Sequence, residues 1–173
     1  MAVHIIVDGY NLLLGAPRYR ADAARDIDAA RERLIADLGA RAAEGERVTV
    51  VFDGASNPAS DGEPRQVGGL TVIFSPAGTD ADSVIEALAA EARAAGVATQ
   101  IVTSDAATRW TATGGSVTVT RALVFSKELE DDERSWREQR ATGRPGSTLS
   151  DRLDGEVRSR LDRMAGRREP GED

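Results

Sequence analysis

HIIVDGYNLLL, residues 4–14, decides the fold. The apolar run that ends at Asp8-Gly9 reads as a short strand over 3–7, buried on both faces as in the middle of a parallel sheet. Asp-Gly is a strong turn pair, so Asp8 has a bland reading as a turn residue. Tyr10-Asn11 and a second apolar run follow at once, however, and a charge placed directly off the end of a buried strand marks a candidate site.

Working outward, residues 22–44 form an Ala-rich stretch with Ala24, Ile27, Ala30, Leu34, Ile35 and Leu38 at helical spacing, stopped by Gly45. RVTVVF (47–52) is a second strand and again ends in Asp-Gly. Residues 53–69 are too dense in Gly, Pro, Ser and Asp for regular structure, and so long a loop is commonly functional. LTVIF (70–74) is a strand, and 80–96 a helix with Val84, Ile85, Leu88 and Ala92 on its buried face. ATQIVTS (98–104) is a strand running into Asp105, with a short helix over 106–112 and a weaker strand or extended edge over 116–120. A charged helix over 124–141, a Gly/Pro break and a last helix over 150–165 complete the chain, and the final REPGED frays. This alternation predicts an α/β sandwich with a mostly parallel sheet. The expected organisation is one domain over 1–126, charged C-terminal helices over 127–168 packed on or extending it, and a tail over 169–173.

Composition excludes several classes. With no cysteine and His4 as the lone histidine, there is no thiolate metal site, no Cys nucleophile and no Ser-His-Asp arrangement. No GxxxxGK[ST] loop occurs, and no GxGxxG follows the first strand. An Asp-nucleophile phosphatase would carry an acid two residues after its nucleophile, where Tyr10 follows Asp8. Neither a basic-then-apolar leader nor an apolar run of bilayer length is present, so the expectation is a cytoplasmic protein with no membrane partner. The net charge of −7 disfavours non-specific nucleic-acid binding. Its distribution is uneven, since Arg134 to Arg168 holds ten arginines against five acids. That segment reads equally as solvated helices laced with i,i+4 ion pairs and as an electrostatic track for RNA.

Three strands end in an acid: Asp8, Asp53 and Asp105. Ligands of open parallel sheets bind outside the carboxyl ends of the strands, so these acids converge on one crevice, and Asp80 and Asp82 reach the same edge from the start of a helix. Gathered carboxylates are costly without a cation between them, and oxygen-only donors select Mg²⁺ or Mn²⁺. Such an ion activates water for phosphodiester hydrolysis. Each acid also has a structural reading: Asp105 and Asp80 as helix caps, Asp82 as a first-turn acid favoured by the helix dipole, Asp53 as a loop opener. Trp110 and Trp136 read as packing anchors before base-stacking residues.

VDGYNLL, VVFDG, DADSVIE and VTSD, in this order, resemble the NYN group of PIN-like ribonucleases, and specifically its YacP-like family. The resemblance runs from about Ala2 to Ser126 and more loosely to about Arg168. It implies a PIN-like three-layer sandwich with C-terminal helices. The implied activity is that of a metal-dependent endoribonuclease acting on mRNA, with the ribosome as a further partner. Carried over by position, Asp8, Asp82 and Asp105 are the metal and catalytic carboxylates and Asp53 a further acid beside them. Asn11 is the motif residue that shapes the site, and Ser104, Arg65, Arg134 and Arg137 are candidate substrate contacts. Ser83 stands where an acid is expected after Asp82. A binding module of the same fold that lacks activity is therefore the competing expectation.

Overall fold

The computed structural model of the chain describes residues 3–55, 57–104 and 115–142. Asp105 and Trp110, with the helices expected over 106–112 and 150–165, lie outside the described residues. The chain divides into two compact units, Met1–Asp131 and Asp132–Asp173.

In the first unit the strands are β1 (His4–Asp8), β2 (Arg47–Phe52), β3 (Arg65–Val67), β4 (Leu70–Phe74), β5 (Thr99–Val102) and β6 (Val117–Thr120). They form one six-stranded sheet in the order β3-β4-β2-β1-β5-β6. All neighbours are parallel except β3 and β4. The apolar run at 4–7 sits at the centre because only a strand covered on both faces can bury consecutive apolar side chains. The helices are α1 (Gly9–Gly15), α2 (Pro17–Arg25), α3 (Ile27–Ala43), α4 (Ala81–Ala94) and α5 (Ala122–Thr142), the last continuing past the unit boundary.

Two separate cores make this a three-layer sandwich. On one face Ile5, Val7, Val50 and Phe52 pack with Leu12, Leu13, Tyr19, Leu34, Leu38 and Phe125. On the other Ile6, Val51, Ile73 and Ile101 pack with Ala81, Ile85 and Ala89, the i, i+4, i+8 stripe of α4.

Two expectations are corrected. The single helix expected over 22–44 is two helices. Asp26 breaks it with extended backbone (φ −153°, ψ 104°), because its carboxylate accepts the amides of Asp28 and Ala29 and starts α3 as an N-cap. The segment expected as loop over 53–69 contains β3, turned onto β4 by Gly68-Gly69. Both glycines have positive φ, as a two-residue type I′ hairpin turn requires. The rest of that segment is tied down: Gly54 donates to Ser75 Oγ at 2.8 Å, and Ser60 Oγ to the Ser75 carbonyl at 2.7 Å.

Candidate active site

Strand parity places the acids. Ile6 faces α4, so Asp8, two residues further, leaves β1 on the α4 side. Asp53 stands in the same relation to Val51 at the end of β2. Helix α4 begins at that edge, bringing Asp80 and Asp82. The four carboxylates line one cavity of about 500 Å³ together with Tyr10, Asn11, Ser104, Leu14, Gly15 and Ala81. Among the described residues no Lys or Arg lines it.

Three of the acids hold their local backbone as well. Asp8 is the N-cap of α1 and accepts the Asn11 amide at 3.1 Å. Asp53 accepts the Ala55 amide at 2.8 Å, opening the loop. Asp80 caps α4 by accepting the Ser83 amide at 2.8 Å, and Asp82 lies in the first turn, where the helix dipole favours an acid. These bonds direct the carboxylates from backbone positions that the sheet and α4 already determine.

Asn11 joins distant parts of the rim. Its Oδ1 accepts the Ser104 amide at 2.8 Å, and Ser104 Oγ accepts the Ala122 amide at 3.3 Å. The β1–α1 junction, the end of β5 and the start of α5 are thereby clamped together. Arg65 is not a lining residue; it is exposed on β3 and donates to Asp61 at 2.7 Å. Arg134 and Arg137 belong to the second unit, where Arg137 pairs with Glu133, and Trp136 there is half-buried.

Tyr10 is the lining residue that the sequence reading left without a role, although it stands inside the VDGYN motif. Its hydroxyl accepts from Arg31 Nη1 at 3.0 Å. His4, by contrast, lies at the opposite end of β1 and is buried, its Nε2 2.9 Å from Thr49 Oγ1. Burial, with Arg47 nearby, pushes its pKa down to about 4.

The profile of the YacP-like NYN domain matches residues 5–166. The chain belongs to the YacP-like NYN domain family. Two solved structures agree with this NYN domain at TM-score 0.67. One is Rae1 (YacP) from Bacillus subtilis, 23% identical, covering 96% of this chain and 92% of that one. The other is a tryptophan-to-leucine mutant of Rae1 (YacP) from Bacillus subtilis, 26% identical, covering 94% of this chain and 99% of that one. No curated protein matches the chain. The NYN domain thus has a PIN-like nuclease fold, and its function is RNA-related. Among the described residues no helix is long and apolar enough to cross a membrane.

Proposed function

We propose that this NYN domain is a metal-dependent endoribonuclease hydrolysing phosphodiester bonds of single-stranded RNA, with mRNA as substrate and the ribosome as a partner. The observation that carries this reading is the cavity: four carboxylates from three places in the chain, with no lining cation among the described residues, at the carboxyl ends of a parallel sheet. Such a cluster is repulsive to itself and to phosphate until a cation enters it.

The donor chemistry fits Mg²⁺ or Mn²⁺ in a largely hydrated form. Mg²⁺ commonly takes one or two carboxylates and keeps several waters. Among the described residues no group of three or more His, Cys, Asp or Glu closes into a metal cage. Asp8 and Asp82 would hold the ion, with Asp53 and Asp105 as further candidate ligands. When bound, the ion offsets charge on a phosphoryl oxygen and acidifies an adjacent water. Hydrolysis adds water across one P–O bond, so a proton leaves the attacking water and another reaches the departing oxygen. A cavity carboxylate is suited to take the first. The Asn11–Ser104 bond keeps the two strand ends in one relation while this happens. Ser104, Arg65, Arg134 and Arg137 are the proposed contacts to the RNA strand.

A second reading, an RNA- or ribosome-binding module without cleavage, draws on the same lack of a three-acid cage among the described residues and on Ser83 after Asp82. The test is cleavage of end-labelled mRNA, free and in a reconstituted translation mixture, with Mg²⁺, Mn²⁺ or chelator. New ends that need metal and vanish in Asp8→Asn and Asp82→Asn are the expected result. Intact RNA throughout, from folded protein that still binds it, selects the second reading. Metal should also raise the melting temperature, since an ion at 100 times its Kd stabilises by about 2.7 kcal/mol, and Asp82→Asn should remove that shift.

A further inference from the structure

Tyr10 is held by two neighbours, one at its ring and one at its hydroxyl. Its ring meets Phe52 edge-on at 5.2 Å, and Phe52 stacks on Phe74 at 5.3 Å. Arg31, from α3, donates to the Tyr10 hydroxyl at 3.0 Å while lying 5.5 Å over the Phe74 ring and 6.0 Å over that of Phe52. Arg31 is itself anchored by an ion pair with Asp28, one turn earlier on α3. A guanidinium has only donors, so the phenolic oxygen must be the acceptor in this bond. The hydroxyl keeps its own proton, and among the described residues nothing accepts it. That proton belongs to a side chain lining the cavity of four carboxylates.

An acidic cavity that is to receive an anion needs a donor that does not itself collapse onto the acids. A lysine or arginine among the lining residues would pair with the carboxylates. A phenol backed by a guanidinium brings positive potential to the wall while remaining neutral, and the donor bond from Arg31 polarises its O–H. Resting on the nuclease reading above, we propose that the Tyr10 hydroxyl donates a hydrogen bond to a non-bridging phosphoryl oxygen of the bound phosphodiester, with Arg31 as the positioning residue that aims and polarises it. The contact strengthens as negative charge builds on that oxygen, so it acts on turnover more than on binding.

The experiment uses the full chain in four forms, wild type, Tyr10→Phe, Arg31→Met and the double variant, with Arg31→Lys as the conservative control. The substrate is a short single-stranded RNA, presented both free and in a reconstituted translation mixture. Tyr10→Phe is expected to lower kcat by about 10- to 100-fold while KM changes by less than about threefold, as for loss of one preorganised donor. Its melting temperature stays near that of the wild type, because the ring packing is kept. Arg31→Met should give a similar loss, the double variant no more than either alone, and Arg31→Lys a partial recovery. A Tyr10→Phe protein that cleaves at the wild-type rate, or single losses that multiply in full, overturns the proposal. If the wild type binds RNA without cleaving it, the nuclease reading fails, and binding of the same RNA decides the Tyr10 contact. A Kd raised about threefold or more in Tyr10→Phe, the loss of one neutral hydrogen bond, then supports it, and an unchanged Kd overturns it. Wild-type protein that neither binds nor cleaves overturns both.

Discussion

Gly9→Ala is the substitution that most directly tests how the site is built. Gly9 is buried between Asp8 and Tyr10, and a Cβ there would stand 2.3 Å from Cε1, 2.5 Å from Cδ1 and 3.0 Å from Cζ of Phe52. Carbon atoms pack at about 3.5–4.0 Å, so relief requires the ring to move by more than about 1 Å. Phe52 is fully buried and in contact with the rings of both Tyr10 and Phe74, so it has little room to move. Overpacking of this kind costs up to about 3 kcal/mol, and the better helix propensity of Ala at the start of α1 offsets at most about 1 kcal/mol. The expected net loss is about 2 kcal/mol, or about 4–8 °C in Tm for a chain of this size. Trimming the obstructing ring should reverse part of it. Phe52→Leu alone is expected to cost about 1–2 kcal/mol, yet the Gly9→Ala/Phe52→Leu pair should be at least 1 kcal/mol more stable than the sum of the two losses predicts, with the sign of coupling set by the relieved contact. Urea titrations followed by far-UV circular dichroism measure all four corners of the cycle. Wild-type stability in Gly9→Ala, or strict additivity in the pair, would refute the claim that Gly is required here by close approach to Phe52.

His4 makes stability depend on pH. Its folded pKa of about 4 lies below the ordinary 6.5, so the unfolded chain takes up the proton first. Its contribution is fully present above about pH 6.5 and is lost as pH falls through about 4, a total of roughly 3 kcal/mol at most. His4→Gln, which keeps a partner for Thr49 without titrating, should flatten this part of the profile relative to the wild type; identical slopes in chemical denaturation between pH 4 and 6.5 would exclude His4 as the cause. Asn11→Ala should expose the Ser104 amide and cost about 1 kcal/mol, seen as faster hydrogen exchange at Ser104. Asn11→Asp keeps the acceptor and should preserve that protection; equal exchange in the Ala variant would mean that the clamp does not hold the β5 end.

The strands were legible because burial writes itself into local composition: 4–7, 47–52 and 70–74 are nearly continuous apolar runs bounded by turn residues. β3 was not legible, because all three residues of RQV are exposed and present no apolar face to the core; its place comes from pairing with β4 through Gly68-Gly69. The break at Asp26 was hidden by the helical spacing of alanines on both sides, while the decisive contact was a capping carboxylate. In the cavity, the strand-end position of Asp8 and Asp53 could be read from the turns that follow them. The partnership of Tyr10 with Arg31 could not, since it joins residues 21 positions apart on different elements.

What the sequence by itself determined are the properties that depend on near neighbours: the parallel strands, the amphipathic α4, and acids standing where strands end. Only the tertiary structure decided which of these meet. The order β4-β2-β1-β5 sets Asp8 beside Asp53, α4 closes over the same face with Asp80 and Asp82, and Asn11 reaches Ser104 across 93 positions. Side-chain periodicity is local and is written along the chain, whereas contact between distant segments follows from how strands pair and which faces the helices cover.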